Sequence, residues 1–240
     1  MIEIKNLNFM YKNTSEKILD DMSLKFSSGK VNVIIGHNGS GKTTLLDILS
    51  GAINRPSEVY NAPPQKDIVY QLQGVLFPLS LKGKDYVRIY INTDHKKKSN
   101  NDLYNTLLEE CINDRERYML KKLWHLPFGA MSVGERRWLT TISICLLDRA
   151  LYIFDEPTSG VDPEARVNIL RRIDKLSSID DKLIVLTTHT LHEFKFIKCQ
   201  LYVMSEGKIV FEGSYDDFLK NARTDNPDKA FEIIINRREH

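Results

Sequence analysis

The stretch GHNGSGKT sets Gly36, Gly41, Lys42 and Thr43 at the spacing G-x-x-x-x-G-K-[ST], directly after the apolar run VNVII at 31–35. That spacing suits phosphate binding: glycines let the chain wrap an anion with its amides, a lysine reaches the outer oxygens, and a threonine hydroxyl can ligate Mg²⁺. His37, Asn38, Gly39 and Ser40 fill the loop, and Thr44 follows in a helical pattern that Gly51 ends. The positive end of such a helix adds to the attraction. A second cluster, LYIFDEPTSGVD at 151–162, puts Asp155 and Glu156 at the end of an apolar strand, with Asp162 close behind. Asp155 has the position to hold Mg²⁺ through its water shell, and Glu156 to accept a proton from an attacking water. The run LIVLTT at 183–188 delivers His189 to the same carboxyl edge, where ligands sit in open α/β sheets.

A further stretch, MSVGERRW at 131–138, has two readings. Ser132 and Glu135 stand at capping-box spacing, and Gly134 leaves the first turn of the helix bare. A bare helix start also binds anions.

The elements that must carry these residues alternate. Continuous apolar runs at 31–35, 150–154 and 183–188 read as central parallel strands, buried on both faces. Between them, DPEARVNILRRIDKL from Asp162 reads as a helix with an aspartate cap and a proline in its first turn. The predicted fold is α/β, with a mostly parallel central sheet. The alternating opening IEIKNLNF adds a small antiparallel β subdomain. Residues 75–130, rich in Lys, Asn, Tyr and Glu, read as a helical insertion with helices at DLYNTLLEECI and RERYMLKKLW. The basic run HKKKSNN at 95–101 reads as a solvated loop, and 214–240 as a tail with two surface helices, SYDDFLK and NPDKAFEIIINRR.

With 240 residues the chain can bury a substantial core, and one domain over 1–240 is expected. The 34 basic and 32 acidic side chains give a net charge of only +2, so no nucleic-acid partner is expected. Cys111, Cys145 and Cys199 lie far apart without a CxxC pair, which fits a reducing compartment. No run approaches the roughly 18 apolar residues of a membrane span. His37, His95, His125, His192 and His240 read as surface residues, and the 189/192 pair lacks the company a metal site needs.

Taken together, these motifs resemble the ATP-binding cassette family, the nucleotide-hydrolysing subunits of ABC transporters, over about residues 1–215. The resemblance implies a P-loop NTPase fold, ATP and Mg²⁺ as cofactors, and Walker A at Gly36 to Thr43. Walker B with its catalytic glutamate falls on Leu151 to Glu156, the D-loop ends at Asp162, and the switch histidine is His189. Tyr11 resembles the aromatic that stacks on adenine. Gln71 resembles the Q-loop glutamine, a catalytic and Mg²⁺ contact beside Thr43 and Asp155, with Gln73 as its rival.

The family's Leu-Ser-Gly-Gly-Gln signature falls on Met131 to Glu135. It implies that Ser132, Gly134 and Glu135 complete the ATP site of an opposite cassette in a head-to-tail homodimer or heterodimer. Val133 and Glu135 depart from that signature, and the extra charge on Glu135 requires neutralisation by Arg136 or Arg137 if hydrolysis is not to slow. The resemblance further implies a separate permease whose coupling helix docks against the insertion near VLFPL at 75–79, and a cytoplasmic chain peripheral to the inner face of the cell membrane. The phrase SGVDPEAR and the short C-terminal tail resemble export-type bacterial cassettes. The alternatives are a cassette acting on nucleic acid or ribosomes without a permease, and a regulatory cassette of low turnover.

Overall fold

The computed structural model describes residues 1–12, 14–74, 78–94 and 102–237. Strands β1 (Ile2–Phe9), β2 (Leu19–Phe26) and β4 (Val59–Tyr60) form an antiparallel sheet in the order β2-β1-β4. The main sheet has six strands in the order β5-β6-β7-β3-β8-β9: β3 (Val31–Gly36), β5 (Ile68–Gln71), β6 (Leu151–Asp155), β7 (Leu183–Thr188), β8 (Cys199–Ser205) and β9 (Lys208–Ser214). Its pairs are parallel except β8 with β9.

Every residue of β3, β6 and β7 is buried, including polar Asn32, Asp155, Thr187 and Thr188, as expected of strands covered on both faces. Alternate side chains supply two cores. Val31, Val33, Tyr152 and Phe154 face a core built mainly with helices, while Ile34, Leu151 and Ile153 face one shared with α1 (Lys42–Ser50) and the antiparallel sheet. Each large apolar side chain so buried contributes about 1.5–3 kcal/mol relative to exposure. The sheet therefore presents its carboxyl edge, with the ends of β3, β6 and β7, as a rigid platform.

Between β5 and β6 lie α2 (Gly83–Asn92), α3 (Leu103–Glu110), α4 (Asp114–Leu123) and α5 (Val133–Cys145). The sequence reading misses α2. Gly83 opens it because a Cβ there would stand 2.2 Å from the carbonyl oxygen of Leu123, so this helix start abuts the end of α4. Buried Glu116 on α4 accepts from Trp138 of α5 and pairs with buried Arg172 of α6 (Pro163–Ser177), fastening the insertion to the sheet's own helix. Asp162 caps α6 through the amide of Ala165, with Pro163 in the first turn.

The tail forms α7 (Tyr215–Ala222) and α8 (Pro227–Asn236), but these are not merely surface helices. Phe218, Ala222, Ala230 and Ile234 join the helical core. The basic run at 95–101 and residues 75–77 of the expected docking stretch lie outside the described residues. Among the described residues no helix is long and apolar enough to cross a membrane.

Candidate nucleotide site

Strand β3 ends at Gly36, and the chain turns through 37–41 into α1. The turn has little tolerance for side chains. A Cβ on Gly36 would lie 2.4 Å from the backbone oxygen of Met204, and Gly41, at φ +100°, would meet the backbone oxygen of Ile18 at 2.9 Å. Helix α1 starts with no side-chain cap and no acid in its first turn, so its leading amides remain free to meet an anion. The ammonium of Lys42 donates to the carbonyls of Gly36 and His37 at 2.8 and 2.9 Å, which folds the side chain back over the loop. Burial pushes its pKa down, opposed by the carboxylates of Glu156 and Asp155. Tyr11 stands beside the loop with its hydroxyl 3.2 Å from that of Thr44 and its ring edge-on to Phe9. His37 packs against Phe231 of α8.

Asp155 and Glu156 arrive at the end of β6. Burial raises the pKa of Asp155, while its hydrogen bond from the Thr187 hydroxyl at 2.6 Å lowers it. Glu156 has a left-handed backbone, φ +47°, a conformation a non-glycine residue adopts at a cost. Its amide donates to the carbonyl of Thr187 at 3.1 Å. Its carboxylate lies 3.3 Å from Nδ1 of His189 and accepts from Nε2 of Gln73 at 2.9 Å. Lys42, Thr43, Asp155, Glu156 and Gln73 line one cavity of about 280 Å³.

Gln71 is not among these residues. It is 2% exposed, its amide has no hydrogen-bond partner, and it lines a different cavity with Tyr86, Phe128 and Arg137. As the last residue of β5 it is fixed in the sheet register opposite Phe154, whereas Gln73 lies past the strand end. Both glutamines line that groove, but only Gln73 also reaches the Glu156 carboxylate.

The second helix start gathers elsewhere. Ser132 accepts from the amide of Glu135 at 3.2 Å, and the carboxylate of Glu135 accepts from the amide of Ser132 at 2.8 Å, closing a capping box. Val133 is the first helical residue, is half exposed and is not among the residues with positive φ. Gly134 faces Val161, Asp162 and Ala165, so the Ser132 tip and the 160–162 loop form one edge. The expected neutralisers of Glu135 point away: Arg136 donates to the carbonyls of Met131 and Gly129, and Arg137 to that of Gln73. Lys122 of α4 pairs with Glu135 instead, at 2.5 Å.

The profile of the family described as ABC transporter matches residues 19–159, more than half of the chain. The chain belongs to the ABC transporter family. Its sequence is similar to energy-coupling factor transporter ATP-binding proteins EcfA1 of Mycoplasmopsis pulmonis and Mycoplasma mobile. The first is 31% identical, with 95% of this chain and 90% of that protein covered, and the second is 29% identical, with 93% and 83% covered. It is also 28% identical to the zinc import ATP-binding protein ZnuC of Ehrlichia chaffeensis, with 93% and 87% covered. The fold is similar to that of a solved ATP-binding subunit of an ABC transporter, at TM-score 0.77 and 21% identity over 98% of this chain and 99% of that one. A dimeric bacterial ABC transporter cassette matches at TM-score 0.70 and 21% identity, over 90% and 99%.

The chain is thus an ABC ATPase, and the residues present fit its nucleotide. The glycine turn has the close backbone approach a polyphosphate needs, and buried Ser40 carries a hydroxyl without a partner. For a divalent cation, Thr43 and Asp155 supply hard oxygen donors in one cavity. Among the described residues no cluster of three or more ligating side chains stands ready, so a cation here would lean on phosphate oxygens, as Mg²⁺ commonly does. Two contributors went unrecognised in the sequence, Thr187 and Lys122, while Arg137 was expected at Glu135 and instead meets the Gln73 carbonyl. Of the two only Thr187 has a local signal, a polar pair closing an otherwise apolar strand just before His189.

Proposed function

We propose that this chain is the ATP-binding and ATP-hydrolysing subunit of a transporter. It closes head-to-tail on a second cassette, as a homodimer or heterodimer, and drives a separate permease from the inner face of the cell membrane. Residues 1–240 act as one nucleotide-binding domain with a helical subdomain at 75–130 and a helical tail at 214–240. Gly36 to Thr44 wrap the phosphates, Lys42 reaches the outer oxygens, and Tyr11 stacks on adenine. Thr43 and Asp155 hold Mg²⁺, which when bound neutralises phosphate charge. Glu156 accepts the proton of the attacking water, His189 and Gln73 orient its carboxylate, and Gln73 rather than Gln71 takes the Q-loop role. Ser132 and Gly134, with Glu135 behind them and Asp162 beside them, meet the triphosphate held by the opposite cassette.

The observation that carries this reading is the joint approach of Gln73 and His189 to the Glu156 carboxylate, beside the Lys42 loop. ATP turnover tests it. Glu156→Gln should lower the rate about 10²- to 10⁴-fold and trap an ATP-bound dimer; equal turnover in wild type and variant would remove Glu156 from the role. On direction, the export reading rests on Ser159 to Arg166. A relative named for zinc import favours uptake instead. Transport by membrane vesicles loaded with ATP inside or outside would decide between them.

A further inference from the structure

The tip of α5 poses a charge problem that its own helix does not solve. In the capping box, Glu135 puts a carboxylate three residues from Ser132, at the end of the helix whose positive pole is to face a triphosphate. An uncompensated charge there would repel the phosphate it is meant to hold, more strongly once a docked partner excludes water. Both oxygens of Glu135 are nevertheless engaged: Oε2 by the Ser132 amide, and Oε1 by the ammonium of Lys122. Arg136 and Arg137, the nearer cations in sequence, donate to backbone carbonyls instead. The Glu135 side chain is only 13% exposed against 47% for Lys122, so the carboxylate is tucked against the flank of the tip while the lysine covers it from the solvent side.

We infer that Lys122 is a positioning residue of the ATP site: its ammonium holds and neutralises Glu135, so that the Ser132 end of α5 offers a triphosphate amides and a hydroxyl without a net negative charge. The helical insertion thereby sets the electrostatics of the site it completes on the opposite cassette. This rests on the reading that the α5 tip meets that cassette's ATP.

The test is a double-mutant cycle in the full chain, purified with the membrane complex it assembles into, reading the ATP concentration for half-maximal turnover. Lys122→Met should raise that concentration about tenfold. Glu135→Gln, which keeps the capping box, should lower it or leave it no higher than wild type. The Lys122→Met/Glu135→Gln double variant should follow Glu135→Gln, because the lysine has no task once the carboxylate is gone. An unchanged Lys122→Met, or a double variant as impaired as Lys122→Met, overturns the inference. Equal impairment by both single variants also overturns it, since a simple staple between α4 and α5 would behave that way. Ser132→Arg reports separately on the underlying reading: if it leaves turnover and ATP-driven association intact, or if the wild type does neither, the tip does not meet nucleotide and the functional proposal fails first.

Discussion

The two helix starts that the proposed dimer would bring to one triphosphate are built on contrary plans. Helix α1 opens on Gly41 with no cap and no acid, and its glycines are demanded by the chain itself: a side chain on Gly36 would run into Met204. Helix α5 opens on Ser132 with a closed capping box and a lysine from another helix covering its carboxylate. A side chain on Gly134 would meet nothing closer than 3.4 Å. The first start is thus shaped by contacts within the fold. The second is satisfied within the fold already, and the fold itself makes no close contact that demands a glycine at 134.

The largest expected effect falls on the first start. Lys42→Met should weaken ATP binding by the separated chain about 100-fold, from the loss of charge-assisted hydrogen bonds to phosphate. Ser132→Arg should leave that binding nearly intact and remove only ATP-driven association. Calorimetry on separated chains checks both, and equal losses would erase the distinction between the two starts. Gly36→Ala comes next, with a stability loss of about 1–3 kcal/mol from overpacking against backbone that cannot retreat. Gly134→Ala should hold or raise the melting temperature, since alanine favours a helix by about 1 kcal/mol over glycine. A matched fall in melting temperature would show that both glycines serve the fold.

The paired glutamines follow. Gln73→Ala should slow turnover about tenfold by freeing the Glu156 carboxylate. Gln71→Leu should raise stability by about 1 kcal/mol, because it removes buried amide atoms that have no partner. Denaturant melts and steady-state rates separate these outcomes.

The smallest effect is acid sensitivity at the second start. Burial alone would raise the pKa of Glu135, but the hydrogen bonds from Lys122 and Ser132 outweigh it and hold the pKa below its ordinary 4.5. A carboxylate with a depressed folded pKa contributes stability that is present above about pH 4.5 and is lost as pH falls through the lower folded value. Wild type should therefore lose more stability than Glu135→Gln as the pH is lowered from above 4.5 through the depressed folded value. Parallel acid melts of the two would refute it.

The strands and the first helix start were legible because their signals are local. Predominantly apolar runs mark β3, β6 and β7, and the glycine spacing follows β3 directly. The sequence was least legible where the outcome depends on distant residues. Gln71 and Gln73 are both glutamines beside a strand end, and only the pairing of β5 with β6 decides which one is locked in the sheet. Lys122 looks like any helix-surface lysine until α4 is laid against α5. Helix α2 begins with a glycine, a poor helix former, whose reason lies in the carbonyl of Leu123 far along the chain. For the tail, spacing alone could have corrected the reading, since Ala230, Phe231 and Ile234 share one helical face, and that face is buried.

Glu156 reaches the site on a backbone turned to φ +47°. Any exchange at this position changes two things together, the carboxylate and the ease with which the turn is held. Asparagine or glycine would relax the backbone while removing the carboxylate, and a β-branched residue such as threonine would strain it further. A saturation series here should rank by turn preference as well as by acidity. The glutamine variant, nearly identical in shape, is the comparison in which loss of the charge stands apart from distortion of the loop.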